Sequence, residues 1–161
     1  MPMTNALEQS WQAYLAGLPP DAPERQASFV AEAFGDNPAL ADELAALIVA
    51  GTKTATCSCL WEWEAEGQPL PTPGLKTVVL DGQGQPVAII ETTVVEIRPF
   101  SEVGADFAFA EGEGDRSLAS WREGHWRYFS RALPRIGREP AETMPLVCER
   151  FRLLYPRLEE T

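Results

Sequence analysis

Lys53 is the residue of this sequence with the clearest potential for chemistry. The chain contains 11 arginines but only two lysines, Lys53 and Lys76, so its usual positive side chain is arginine. A buried lysine, unlike an arginine, can lose its proton and act as a nucleophile. The low lysine count is equally typical of a GC-rich genome. A chemical role for Lys53 and an incidental one therefore both stay open.

Lys53 belongs to a short motif, Gly-x-Lys-x-x-Thr, that begins at Gly51 and ends at Thr56. Gly51 follows an apolar-striped segment and is predicted to end a helix as a left-handed cap. Thr52, Thr54 and Thr56 then lead into a predicted strand over 55–60. These threonines can line a binding site around the lysine, or they are ordinary β-forming residues.

An acid-rich stretch, predicted as a loop over 107–115, supplies candidate carboxylates. Glu111, Glu113 and Asp115 alternate in its last residues. A carboxylate near Lys53 can move protons during a reaction. The alternative is a solvated turn in which Asp115 is the N-cap of the next helix.

Aromatic residues offer surfaces for stacking on a nucleobase. Trp61, Trp63 and Trp126 are the candidates, and at least one of Trp61 and Trp63 is expected in the core. His125 lies on the apolar stripe of the predicted helix over 115–131. A histidine in that position is more often a core residue than a catalytic one.

The net charge limits the partners of the protein. Acidic residues outnumber basic ones by 24 to 13, and the net charge is −11. Proteins that hold duplex DNA or long RNA by the phosphates carry basic stripes, so that class of partner is disfavoured. A local basic pocket for one nucleotide is compatible with this charge. Arg116, Arg122 and Arg127 can reach a phosphate or can be ordinary residues of an exposed helix face.

The composition also indicates whether the protein binds a metal, enters a membrane or leaves the cytoplasm. Cys57, Cys59 and Cys148 are an odd number in a chain long enough to need no cross-links. Their spacing is not that of a zinc site. The three cysteines are therefore predicted to be small buried side chains, and no metal or other cofactor is expected. No apolar run approaches a membrane span, and the N-terminus does not resemble a secretory signal. A cytoplasmic protein without membrane contact is expected.

The apolar patterns predict strands separated by helices. Two short helices are expected within residues 1–35, the second starting near Pro23 and ending at Gly35. A third follows Asn37-Pro38, with Asn37 as its N-cap. Later elements are a helical turn at 60–66, a hairpin of strands 76–80 and 86–97, the helix over 115–131 and a last strand at 146–155. The pattern favours a mixed barrel or curled sheet with helices outside.

Several segments in this order resemble the ASCH (activating-signal-cointegrator homology) family, in particular a bacterial branch of it. They cover nearly everything after residue 33 and comprise the lysine motif, FGDNP at 34–38, VVLDGQGQPVAIIETT at 78–93, EGEGDRSLASWREGHWRYF at 111–129 and MPLVCERFRLLYP at 144–156. The lysine motif alone is weakly specific. The full set in this order is highly specific.

The resemblance implies an α+β, PUA-like mixed β-barrel with surrounding helices. We expect an ASCH domain over 36–158 and a helical N-terminal extension, 1–35, packed on it. The implied ligand is a nucleoside or a short single-stranded RNA, bound in a cleft between barrel and helices. Whether the protein is a monomer or a homodimer is left open.

The resemblance also implies an activity. Small bacterial relatives are amidohydrolases that remove acetyl from the exocyclic amine of acetylated cytidine. They use the motif lysine and threonine, here Lys53 and Thr56, and a loop glutamate, here Glu113 or else Glu111. The expected ligand-binding residues are Gly51, Thr52, Thr54, Trp61, Asp115 and Arg116. The alternatives are a noncatalytic RNA- or nucleotide-binding module and a ribonuclease.

Overall fold

Residues 2–156 are described by a computed structural model of the chain. Residue 1 of the predicted extension and residues 157–158 of the predicted domain lie outside the described residues. The strands are β1 Val30–Ala33, β2 Ala55–Cys59, β3 Lys76–Leu80, β4 Pro86–Pro99 and β5 Pro145–Tyr155. The helices are α1 Pro2–Ala16, α2 Pro38–Val49, α3 Leu60–Glu66, α4 Ala105–Glu111 and α5 Leu118–Ala132. Single 3₁₀ turns lie at Pro23–Gln26, Phe100–Glu102 and Leu133–Ile136.

The five strands form one mixed, curled sheet in the order β1-β3-β4-β5-β2. β1 runs parallel to β3, and the other neighbouring pairs are antiparallel. The sheet closes into a half-barrel with the helices around it, as the sequence predicts. β2, which begins at Ala55 within the lysine motif, pairs with β5, the last strand in residues 2–156.

The segment that leads into the lysine motif is built as predicted. The side chain of Asn37 accepts a hydrogen bond of 2.9 Å from the backbone N–H of Leu40, and Pro38 occupies the first turn of α2. Ala41, Leu44, Ala45 and Ile48 form the buried stripe of this helix. Gly51 has a φ of 81°, the left-handed conformation that ends the helix and turns the chain toward β2.

The predicted second N-terminal helix is wrong. Residues Pro23–Gln26 form a single 3₁₀ turn, and Val30–Ala33 form the edge strand β1. The apolar pair Phe29-Val30 suggested a helix face, but Val30 pairs with Thr77 of β3 instead. The partner strand is more than 40 residues away in sequence and runs parallel to β1. The residues around β1 therefore contain no hairpin signal that would predict a strand. The division of the chain at residue 35 stays a prediction.

The first helix packs against the sheet. Trp11, Tyr14 and Leu15 of α1 are buried against Val78 of β3 and Ile89 of β4. A larger core cluster is formed by residues of β2, β5, α4 and α5. No helix in residues 2–156 is both long enough and apolar enough to cross a membrane.

The acid-rich stretch differs from its prediction as well. Ala105–Glu111 is the helix α4, with Phe107, Ala108 and Ala110 buried, so the loop begins only at Gly112. Ser117, and not Asp115, caps α5: its hydroxyl accepts a hydrogen bond of 3.1 Å from the backbone N–H of Ser120. Asp115 instead accepts the backbone N–H of Ser117 at 2.8 Å.

Candidate functional site

The ammonium of Lys53 lies inside the protein between two carboxylates. The side chain is only 1% exposed. Its Nζ is 2.9 Å from Oε1 of Glu111 and 3.0 Å from Oε2 of Glu113. A third, longer hydrogen bond of 3.4 Å reaches the backbone carbonyl of Glu111. An ammonium has three donors, so all three have partners in this arrangement.

Glu111 is the centre of a buried polar network. While Oε1 accepts from Lys53, Oε2 accepts a hydrogen bond of 2.6 Å from Nε1 of Trp121 and lies 3.1 Å from Nε2 of His125. The other ring nitrogen of His125 is 2.9 Å from the backbone carbonyl of Trp121, and the two rings stack. Both oxygens of Glu111 are therefore engaged, and the carboxylate fixes the positions of its neighbours.

The electrostatics keep Lys53 charged. Burial alone lowers the pKa of its ammonium, but the adjacent Glu111 and Glu113 carboxylates outweigh burial, and the pKa is raised. A protonated amine has no lone pair with which to attack a carbonyl carbon. Lys53 can instead stabilise negative charge that develops on a bound molecule.

The two glutamates have opposite pKa shifts. Burial raises the pKa of Glu111, but the charges of Lys53 and His125 overcome it and hold the pKa below the ordinary value. Burial also raises the pKa of Glu113, and the neighbouring Glu111 charge adds to this, so its pKa stays raised despite Lys53. A carboxyl with a raised pKa exchanges protons more readily near neutral pH. Glu113 is thus the better proton carrier.

His125 is largely buried, as its place on the apolar stripe predicts, but it also lines the cavity and contacts Glu111. Burial lowers the pKa of its imidazole, but Glu111 raises it by charge and hydrogen bonding, and the net shift is upward. The spacing of Trp121 and His125, one helical turn apart on α5, could have paired them as joint partners of one carboxylate. Nothing in the sequence identified that carboxylate as Glu111.

The turn at Gly112 brings Glu111 and Glu113 to Lys53. Gly112 has a φ of 73° and ends α4 in the left-handed conformation. It also packs on the lysine motif: a Cβ at this position would lie 2.6 Å from the carbonyl oxygen of Thr52 and 3.1 Å from the Cα of Lys53. Only glycine allows both the turn and this close approach of the two backbones.

Gly112→Ala is expected to lower the free energy of unfolding by about 2–4 kcal/mol, since backbone strain and overpacking add at one residue. Gly67→Ala is the matched control, because Gly67 has a similar φ of 65° but nothing within 4 Å of an added Cβ. The control should lose only about 1–2 kcal/mol, the cost of the left-handed conformation. Urea unfolding of both variants measures the difference, and equal losses would contradict close packing at Gly112.

Lys53 and both glutamates lie on the wall of a cavity of about 490 Å³. This volume is within the roughly 300–1,000 Å³ typical of small-molecule sites. Thr56 and Trp63 also line it, together with residues of α5 that include His125 and Tyr128. Of the residues predicted as catalytic, Lys53, Thr56, Glu111 and Glu113 are thus brought to one cavity.

The residues predicted as ligand-binding do not line this cavity. Arg116 lies over the ring of Phe109, 3.5 Å from its centroid, and its Nη2 donates to the carbonyl of Thr52 at 3.3 Å. The hydroxyl of Thr54 donates to the carbonyl of Ala110 at 3.3 Å. Thr52, Thr54 and Arg116 therefore join the lysine motif to α4.

Trp61 and Trp63 lie on different sides of α3. The ring of Trp61 is covered by Arg138 at 4.5 Å and packs against the core. Trp63 lines the cavity instead, and its Nε1 donates to the hydroxyl of Ser58 at 2.7 Å. Gly51 and Asp115 have the backbone and turn positions already described, and neither lines the cavity.

Among the described residues, one group has metal-ligand chemistry: Cys57, Glu111 and His125, whose donor atoms lie within 4.8 Å of one another. Burial and the nearby Glu111 raise the pKa of the Cys57 thiol well above its usual value, so this ligand is protonated. Glu111 already neutralises Lys53 at 2.9 Å. The donor set fits a hydrogen-bonded network better than a cation site.

The half-barrel and its surrounding helices define the protein as one of PUA-like fold. The model of the ASCH domain family matches residues 30–155. The crystal structure of an ASCH domain from Lactobacillus crispatus superposes with a TM-score of 0.88 at 36% identity, covering 94% of this chain and 95% of that one. A protein from Enterococcus faecalis superposes with a TM-score of 0.79, also at 36% identity, covering 94% and 91%. No curated protein matches. The chain belongs to the ASCH family, a family of RNA-binding type.

Proposed function

We propose that this ASCH protein hydrolyses the acetyl amide of N4-acetylated cytidine or of a closely related modified nucleoside. The observation that carries the proposal is a charged amine, 1% exposed, on the wall of a nucleoside-sized cavity and beside a carboxyl of raised pKa. Amide hydrolysis needs such a pair: a cation for the developing oxyanion and a group that moves protons.

Lys53 acts as the oxyanion partner in this proposal. The substrate carbonyl replaces the carboxylate of Glu113 as one of the three acceptors around the ammonium. Glu113 can give up that contact because its side chain is 29% exposed, whereas Glu111 is 1% exposed and stays in place. Glu111 then keeps Lys53 charged and oriented throughout the reaction.

Glu113 moves the protons. Its carboxylate takes a proton from a water molecule as the water oxygen attacks the acetyl carbon, and a tetrahedral oxyanion forms against Lys53. When the carbon–nitrogen bond breaks, Glu113 returns the proton to the departing N4 amine. Water and the acetylated nucleoside thereby give cytidine and acetic acid, which releases its proton to solvent as acetate. Thr56, which lines the same cavity, is placed to hold the acetyl group or the water.

The charge of the cavity wall favours a nucleoside over a phosphorylated ligand. Five glutamates line it against one lysine and two arginines: Glu32, Glu43, Glu111, Glu113 and Glu149 against Lys53, Arg127 and Arg131. Lys53 is already neutralised by two carboxylates, and Arg131 pairs with Asp36 at 3.0 Å. A phosphate would meet net negative charge here.

The direct test is incubation of the pure protein with N4-acetylcytidine and detection of free cytidine and acetate. We expect turnover by the wild type and loss of turnover in Lys53→Ala. Lys53→Arg separates the roles of the amine: retained turnover excludes a nucleophilic lysine, because a guanidinium keeps the charge but does not attack carbonyls. A wild type that releases no cytidine contradicts the proposal.

One observation favours a second candidate, a noncatalytic module that binds a nucleotide or an RNA end. All three donors of Lys53 already have partners, an arrangement that a purely structural ion pair would also give. Saturable binding of cytidine without any turnover of the acetylated form would favour this module over the enzyme.

A further inference from the structure

Glu149 is one of the five glutamates that line the cavity, and the proposed chemistry does not use it. It lies on β5, directly across from Thr56 of the lysine motif in the antiparallel pair of β2 and β5. Side chains of such cross-strand partners point to the same face, with Cβ atoms about 4.5–5.5 Å apart. Both residues line the cavity, so Glu149 is close to the place where the motif would hold a substrate.

The surroundings of Glu149 give its two oxygens different roles. Oε1 accepts a hydrogen bond of 3.3 Å from the hydroxyl of Thr92, a β4 side chain that is itself 2% exposed. This contact leaves Oε2 as the oxygen that carries a proton when the group is a neutral acid. A protonated carboxyl then presents one acceptor and one donor side by side in the cavity.

Burial and the negative charge of Glu32 on β1 raise the pKa of Glu149 to about 7. The other charged groups of the cavity wall come from different elements and include Glu43 of α2, Lys53, Glu113 and Arg131 of α5. None of them forms a hydrogen bond or an ion pair with Glu149 among the contacts of residues 2–156. Near neutral pH, Glu149 is therefore present both as an acid and as a carboxylate.

We infer that Glu149 in its protonated form binds the Watson–Crick edge of the cytosine ring and so determines base specificity. This inference rests on the proposed function. The ring nitrogen N3 is an acceptor, and the neighbouring exocyclic N4–H is a donor. Oε2–H donates to N3 while Oε1 accepts from N4–H, which gives two parallel hydrogen bonds. The ionised carboxylate would face the N3 lone pair with negative charge instead.

The inference predicts that the affinity for cytidine decreases as the pH rises. Because only the protonated carboxyl donates to N3, the affinity for cytidine should fall about tenfold between about pH 6 and about pH 8. The midpoint of the fall should lie near the pKa of about 7. Isothermal titration of the full chain with cytidine over this range measures the effect.

Glu149→Gln is the decisive variant, since its amide has the donor and acceptor of the protonated acid and does not titrate. It should bind cytidine as the wild type does at about pH 6 and keep that affinity at about pH 8. Glu113 and His125 still titrate in this variant, so any pH dependence that they cause would remain. Glu32→Gln should shift the midpoint downward, because it removes a negative charge that raises the pKa of Glu149.

A second probe tests the contact to N3 itself. 3-Deazacytidine has a C–H group in place of N3, so it should bind the wild type about threefold to tenfold more weakly than cytidine at about pH 6, the loss of one hydrogen bond. Equal affinity for the two nucleosides, or a pH dependence that persists in Glu149→Gln, overturns the role of Glu149 and leaves the proposed hydrolysis intact. A protein that neither binds cytidine nor hydrolyses acetylated cytidine at any pH overturns both.

Discussion

Lys53→Met should lower the free energy of unfolding by about 3–5 kcal/mol, because it leaves the buried Glu111 carboxylate without its main counter-charge. The same variant should deacetylate about 10²–10³ times more slowly, the loss that follows removal of one oxyanion donor. The side chain is 1% exposed and contacts both glutamates, and His125, the other cationic partner of Glu111, already contacts the second oxygen of that carboxylate. Urea unfolding and a cytidine-release assay measure the two effects.

A double variant separates stability from chemistry. Lys53→Met combined with Glu111→Gln removes the buried carboxylate that the single change leaves uncompensated, so part of the lost stability should return. The activity should not return. Lys76→Met is the matched control, because Lys76 is the other lysine of the sequence. Within residues 2–156 its Nζ donates only to the carbonyl of Gly74, at 3.4 Å, and its loss should change stability by no more than about 0.5 kcal/mol. A Lys53→Met protein as stable as this control would contradict the buried ion pair.

Glu113→Gln should reduce kcat by about 10²–10⁴, the usual contribution of a group that transfers protons in the rate-determining step. The amide keeps the shape of the side chain and its place beside Lys53, so KM should change little. The pH profile gives an independent readout. In the wild type, activity should rise with pH as Glu113 ionises, from a pKa above its ordinary value, and this limb should be absent in the variant.

Glu123→Gln provides the comparison for that prediction. Glu123 is another glutamate that follows Glu113 closely in the sequence. Its side chain, however, is 73% exposed and pairs with Arg127 on the surface of α5. Its rate should match the wild type. If Glu113→Gln is as active as Glu123→Gln, Glu113 does not move the proton, and the catalytic carboxylate must be sought elsewhere in the cavity.

The sequence predicted the elements whose signals are local. Asn37 and Pro38 start α2 and Gly51 ends it, because caps depend on a few neighbouring residues. β1 was not predicted because β3, the strand with which it pairs, is distant in sequence. The stretch 107–115 is predicted as a loop because its acids and glycines outweigh the helical spacing of Phe107, Ala108 and Ala110, although α4 extends to Glu111.

The site was predictable in its residue types but not in its contacts. Lys53 stood out by its rarity, and the glutamates by their position before α5, yet the sequence left Glu111 and Glu113 as alternatives. Both contact the ammonium. The distinction between them arises from burial, which is a property of the packed molecule. The contacts of His125 and Glu149 were not predicted for the same reason, since their partners Glu111 and Thr92 come from other elements.

The strand order has a consequence for synthesis on the ribosome. Within the described part of the chain, β2 pairs with β5 and with no strand that precedes it. The segment after Lys53 therefore has no sheet to join until about 90 further residues have been made. Such distant pairing is slow to form, because a long loop must close first. Nascent chains that end before residue 145 should therefore lack a formed cavity, however well α2 and the β3–β4 hairpin have folded.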